Sequence, residues 1–262
     1  MESPPNDEAD TEISQAFSKA LDDMRALGQR INDATVSIED VWFRNLLLGI
    51  IDGALKDHHN AKIGVRKFVP LAAWAARSLL ELRIVTAYVL KSASNANQFK
   101  SELLIDVKEF YENVAKSTAA GHKKVVAMMR ELAEEQQGPM RDALIKMADM
   151  EAAKVPQTEI ADKEAEACRN VLMSEFGISD KQQPKMHGAL AREVQQHEDF
   201  APLNKVFSKL THRTALSIAS STVQGSVDEV IPFLSNVADS EILSIYGMIS
   251  DYVRDHGVQP PK

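Results

Sequence analysis

Arg77 and Glu81 are the residues of this chain whose types and spacing could most readily do chemistry. They lie four apart in the middle of its most apolar stretch, Val69 to Leu90, which reads VPLAAWAARSLLELRIVTAYVL. On a helix that spacing puts both side chains on one face, with Trp74, Ile84 and Tyr88 around them. Charged side chains are rarely buried without a partner. The pair is therefore either a structural clamp or the floor of a polar site, where a guanidinium steadied by a carboxylate would meet an anion.

A second spacing of four joins Ser208 and His212 in the segment Phe207-Ser208-Lys209-Leu210-Thr211-His212. Phe207, Leu210 and Leu216 mark the buried side of that helix. Histidine is the side chain best tuned to proton transfer near neutral pH. Serine and histidine alone do not make a triad, because no acid is placed and no strand-to-helix nucleophile elbow precedes the serine. The alternative reading is a histidine hydrogen-bonded to a neighbouring helix.

Taken together, Ala76-Arg77-Ser78-Leu79-Leu80-Glu81 and the later Phe207, Ser208 and His212 resemble a family of bacterial all-helical domains of unknown function. The resemblance covers about residues 37 to 221. That family often has Tyr where Phe207 stands and a small residue or Pro after the histidine, where this chain has Arg213. The resemblance implies that Arg77, Glu81 and His212 converge in space. It supplies no activity.

A third candidate is Arg192 followed after four residues by His197. This resembles the motif of helical nucleotide-binding and ribonuclease domains of toxin systems, in which the two act on an RNA phosphodiester. The residue after the arginine there is usually Asn, Asp or His, whereas Glu193 occupies it here.

Metal and cofactor chemistry find little footing. Asp57-His58-His59 sets two histidines side by side, about 100° apart if helical. They read as solvated groups at a helix C-terminus. Neither a Glu-x-x-His pair nor a Cys/His zinc spacing is present, and no glycine-rich phosphate loop. No cofactor and no metal are expected. Cys168 reads as an inert, half-buried thiol, and Met128, Met129, Met140, Met147 and Met150 read as core filling.

The elements that must position these residues are helices. The 262-residue chain is 44% hydrophobic but only 6% aromatic, with 11 glycines. That balance favours helices and starves strands. Spacings of three and four predict a first helix from Glu12 to Ile31. Ser37 with Asp40 predicts an N-cap for a second, Ile38 to Lys56, and residues 57 to 67 a polar connection. A central helix starts near Pro70. After a turn at residues 92 to 97, a long helix runs from Gln98 to Gln137, where Gly138-Pro139 stops it. Helices over 140–154, 159–176 and 186–196 follow. Pro202 then opens a helix, Pro232 ends a short one begun at Ser226, and the last covers 239 to 255.

The expected fold is an all-α, irregular bundle of about eight to ten helices. Residues 1–10 read as a disordered tail and 11–257 as a single domain, with 98–176 as a possible appended long-helix hairpin. A net charge of −8 argues against a broad nucleic-acid surface. The acidic N-terminus lacks a leader pattern, and Arg77, Glu81 and Arg83 interrupt the only long apolar run, so no membrane span is expected. One cysteine fits a reducing compartment such as the cytoplasm. Two functions stay open. One is an interaction or scaffold protein with an unidentified protein partner, or a homodimer through the long helix. The other is a phosphodiester hydrolase using Arg77, Glu81, Ser208 and His212, or Arg192 and His197.

Overall fold

The computed structural model of the chain describes residues 7–134, 137–153, 158–176, 185–211 and 226–261. Among these it is an all-α, multi-helix bundle with no strand. The helices are α1 (Asp7–Asp33), α2 (Val41–Lys67), α3 (Val69–Lys91), α4 (Ala93–Glu134), α5 (Pro139–Ala152), α6 (Thr158–Phe176), α7 (His187–Glu193), α8 (His197–Thr211) and α9 (Ser226–His256), with a 3-10 turn at Ile38–Asp40. None of the described helices is long and apolar enough to cross a membrane. Two compact units are present, Met1–Ala96 with Met186–Lys262, and Asn97–Lys185.

In the first unit α3 is the centre, packing against α2, α7, α8 and α9. Its sequence explains why. Ala72, Ala73, Ala75 and Ala76 let neighbouring helices come close, and Leu79, Leu80, Ile84, Tyr88 and Val89 fill the space between them. A close approach lies at Gly64 of α2, where an added Cβ would lie 2.4 Å from the Ala72 nitrogen. Phe43, Leu47 and Ile50 of α2, Phe200 and Phe207 of α8, and Ile242, Ile245 and Ile249 of α9 complete the core. Trp74, one turn before Arg77, is 52% exposed.

Several boundaries differ from the sequence reading. Helix α1 begins at Asp7 rather than Glu12. Residues 57–67 are not a connection but the last turns of α2, because His58 and Ala61 are buried and hold that end of the helix in place. The turn at 92–97 shrinks to Ser92. Its hydroxyl and carbonyl accept from the Asn95 and Ala96 amides and start α4, while the Asn95 side chain donates to the Tyr88 carbonyl at the end of α3. Pro202 and Pro232 lie inside α8 and α9. Each costs a hydrogen bond near a helix start, offset by burial of Phe207 and Leu210 in α8 and of Leu234, Ala238 and Ile242 in α9. Ser37 does cap the turn before α2, accepting from the Asp40 amide at 3.2 Å. Gly138, the N-cap of α5, and Gly257, just after α9, adopt φ of +64° and +69°, positive values that glycine enters freely.

The second unit contains the rest of α4 with α5 and α6. Among the described residues its buried apolar side chains are Ile105, Ala133, Ala148, Ala165 and Leu172. Polar ties supplement them. Arg169 of α6 donates to Glu112 of α4 at 2.9 Å, and His122 of α4 meets Glu151 of α5 at 2.5 Å.

Candidate functional site

The Arg77–Glu81 pair forms as the spacing requires. Arg77 Nε donates to Glu81 Oε1 at 2.9 Å, with both side chains about a quarter exposed. A third group joins it that no sequence signal marked. His187, the first residue of α7, places Nδ1 3.9 Å from the same Glu81 oxygen. Next to Arg77, Ser78 turns to α2 and donates to Asp57 at 2.5 Å. Burial pushes the Asp57 carboxyl above its ordinary value, and the Ser78 hydrogen bond opposes that rise.

The other predicted residues are dispersed. Ser208 is half-buried on α8, and its carbonyl accepts from the Thr211 hydroxyl at 3.5 Å. His212 lies outside the described residues. Arg192 is exposed near the end of α7. His197 opens α8 with its Nδ1 buried and lacking a hydrogen-bond partner among the described residues.

Two long-range clusters escaped the sequence reading. Arg83, also on α3, pairs with Glu241 of α9, and its Nη1 donates to Gln196 at 2.6 Å. This pair of charges is deeply buried, 12% and 8% exposed. Burial raises the Glu241 carboxyl while Arg83 pulls it down. In the second cluster, His58 is buried rather than solvated. Its Nε2 meets Asp239 Oδ1 at 2.7 Å, and Lys62 donates to Asp239 Oδ2 and to Ser235, both at 2.6 Å. Burial pushes the Asp239 carboxyl up, but the hydrogen bonds and charges of His58 and Lys62 outweigh it and hold the group below its ordinary value.

A groove runs between the ends of α3 and α9. Two contiguous hollows of about 490 and 570 Å³ share Leu90, Lys91, Tyr252 and Asp255. The Tyr252 hydroxyl is spent on the Gln259 carbonyl at 2.6 Å, and burial pushes it up to about 12. Lys91 donates to the Glu193 carbonyl at 2.5 Å. On the wall, Gln195 holds φ of +59° in the turn between α7 and α8. A nucleophile with a positioned base is not gathered here among the described residues. Nor do three or more His, Cys, Asp or Glu side chains of the described residues cluster as metal ligands would.

The apolar surface is distributed more informatively. Four of the five methionines read as core filling are outside: Met128 at 53%, Met140 at 60%, Met147 at 51% and Met150 at 62% exposure. The described helices of the second unit leave these side chains of α4 and α5 uncovered. Phe110, Val114 and Leu132 are exposed on α4 as well. Phe110 and Met128 lie eighteen residues apart, five full turns at 3.6 residues per turn, so these side chains form one stripe with Val114 and Leu132 one turn on from each.

No family model, curated protein or solved structure matches the chain.

Proposed function

We propose that this chain is an interaction or scaffold protein of the bacterial cytoplasm, and that it docks its partner on the second unit. The observation that carries the reading is the exposed stripe Phe110, Val114, Met128 and Leu132 on α4, with Met140, Met147 and Met150 on α5. Large apolar patches on a protein surface mark interaction sites, and methionine suits surfaces that adapt to a partner. Supporting it, two charge clusters of the first unit serve as inter-helix ties: Arg83 with Glu241, and His58 and Lys62 with Asp239.

A photo-crosslinking residue placed at Met128 or Leu132 in growing cells tests this reading, with Lys123 on another face of α4 as the control position. Adducts to a second chain from Met128 and Leu132, absent from Lys123, are expected. Equal or absent adducts at all three positions would refute it.

A phosphodiester hydrolase is the second reading. His187 favours it by bringing an imidazole to the Arg77–Glu81 pair. Arg77 would hold the anion, Glu81 would orient the guanidinium, and a histidine would move the proton.

A further inference from the structure

We propose that the stripe on α4 joins two copies of this chain, which cross antiparallel at Gly121. The inference rests on the interaction reading and names its partner. Val114 and Met128 each lie seven residues from Gly121, and Phe110 and Leu132 each lie eleven. The stripe therefore reads the same, as large apolar side chains about a glycine, from either end. An antiparallel two-fold pair uses that pattern, because it sets each position against the one equally far beyond the glycine on the other copy. An antiparallel crossing sets Phe110 against the partner's Leu132 and Val114 against the partner's Met128.

Gly121 suits the crossing point. It is exposed, and an added Cβ would touch nothing within 4 Å of its own chain. No packing within one copy calls for a glycine there, whereas two helix axes approach closest where side chains are smallest.

The area is adequate. Helix α5 runs antiparallel to α4, tied by His122–Glu151 and Arg130–Asp149. On each helix the exposed apolar side chains precede the line of mutual contact by about 100° of rotation, which in an antiparallel pair turns them to the same side. A half-exposed side chain of this size leaves about 100 Å² open, so seven offer roughly 700 Å² per copy, against about 800 Å² per partner in a stable interface.

The test uses the full purified chain with Cys168→Ser, followed by sedimentation equilibrium and oxidative cross-linking. A dimer is expected, with a disulfide between two Gly121→Cys copies and between Val114→Cys and Met128→Cys copies when mixed. The second pair decides if a side chain at position 121 holds the helices apart. Phe110→Cys copies should not link, because antiparallel crossing puts them roughly 33 Å apart at 1.5 Å per residue. Met128→Glu should raise the dissociation constant at least ten-fold. Linkage of two Phe110→Cys copies would overturn the proposal by showing a parallel pair. A monomer at every concentration would also overturn it. Photo-adducts from Met128 alongside such a monomer would leave the interaction reading standing with a different partner; no adducts would remove both.

Discussion

The Arg83 guanidinium of α3 meets the Glu241 carboxylate of α9 in an ion pair that is nearly sealed from water. The two residues lie far apart in sequence, so the contact fixes how α9 lies on the central helix. Removing one partner strands the other charge in a dry interior, which costs about 3–5 kcal/mol, whereas removing both together is often neutral or stabilising. Arg83→Met should therefore destabilise the chain by that amount, and Arg83→Met with Glu241→Leu should recover most of it. Urea unfolding measures both. Additive losses in the double variant would show that the pair is not coupled.

The Asp239 carboxyl is held below its ordinary value of 3.8 by His58 and Lys62, despite its burial. For an acid whose folded value is depressed, the stabilisation is complete above the ordinary value and is lost as pH falls through the lower folded one. A carboxyl-carbon NMR titration should place Asp239 below 3.8 in the folded chain. Asp239→Asn should destabilise the chain at neutral pH, and the deficit should shrink under acid conditions. A midpoint at or above the ordinary value would contradict this account of the cluster.

Gly64 of α2 packs directly on the α3 backbone at Ala72. Gly64→Ala would press a methyl into the Ala72 backbone, which cannot yield as a flexible side chain can. A loss of about 1–3 kcal/mol is expected. Gly49→Ala, also in α2 but with nothing within 4 Å, should gain up to about 1 kcal/mol from helix propensity alone. Equal thermal shifts in the two variants would mean that the α2–α3 approach is looser than described.

Arg77 and Glu81 are partly exposed, and each is the other's main partner. Arg77→Met with Glu81→Leu should leave the folded chain and its association intact. If the double variant kept its unfolding midpoint and its far-ultraviolet spectrum but lost a cellular phenotype of the wild type, the hydrolase reading would gain at the expense of the interaction reading.

Local chemistry was legible in the sequence and distant chemistry was not. Apolar periodicity showed the all-α class and the central place of α3. Ser37 and Gly138 mark turns through their own backbone chemistry, and Arg77 with Glu81 follows from helical spacing alone. Arg83–Glu241 and His58–Asp239 could not be read, because nothing local to either partner indicates which of many charged residues the fold will bring to it. The polarity of the segment around His58 suggests a connection, but burial of one face carries α2 through it. Pro202 and Pro232 signalled breaks that burial of the apolar residues after them overrides. The methionines were misread because their identity suits a core, while exposure depends on how many helices are at hand to cover them. His212, central to the sequence reading, lies outside the described residues.

The most direct test of the central claim is the hydrodynamic size of the chain in fresh extract of its own cells. Three forms should be compared: wild type, Phe110→Glu with Met128→Glu, and Arg77→Met with Glu81→Leu. The account predicts that wild type and the Arg77/Glu81 variant run as a complex larger than the 29.0 kDa chain, and that the stripe variant alone falls to the size of the monomer with its fold unchanged. Wild type and the stripe variant migrating together as monomers would contradict it.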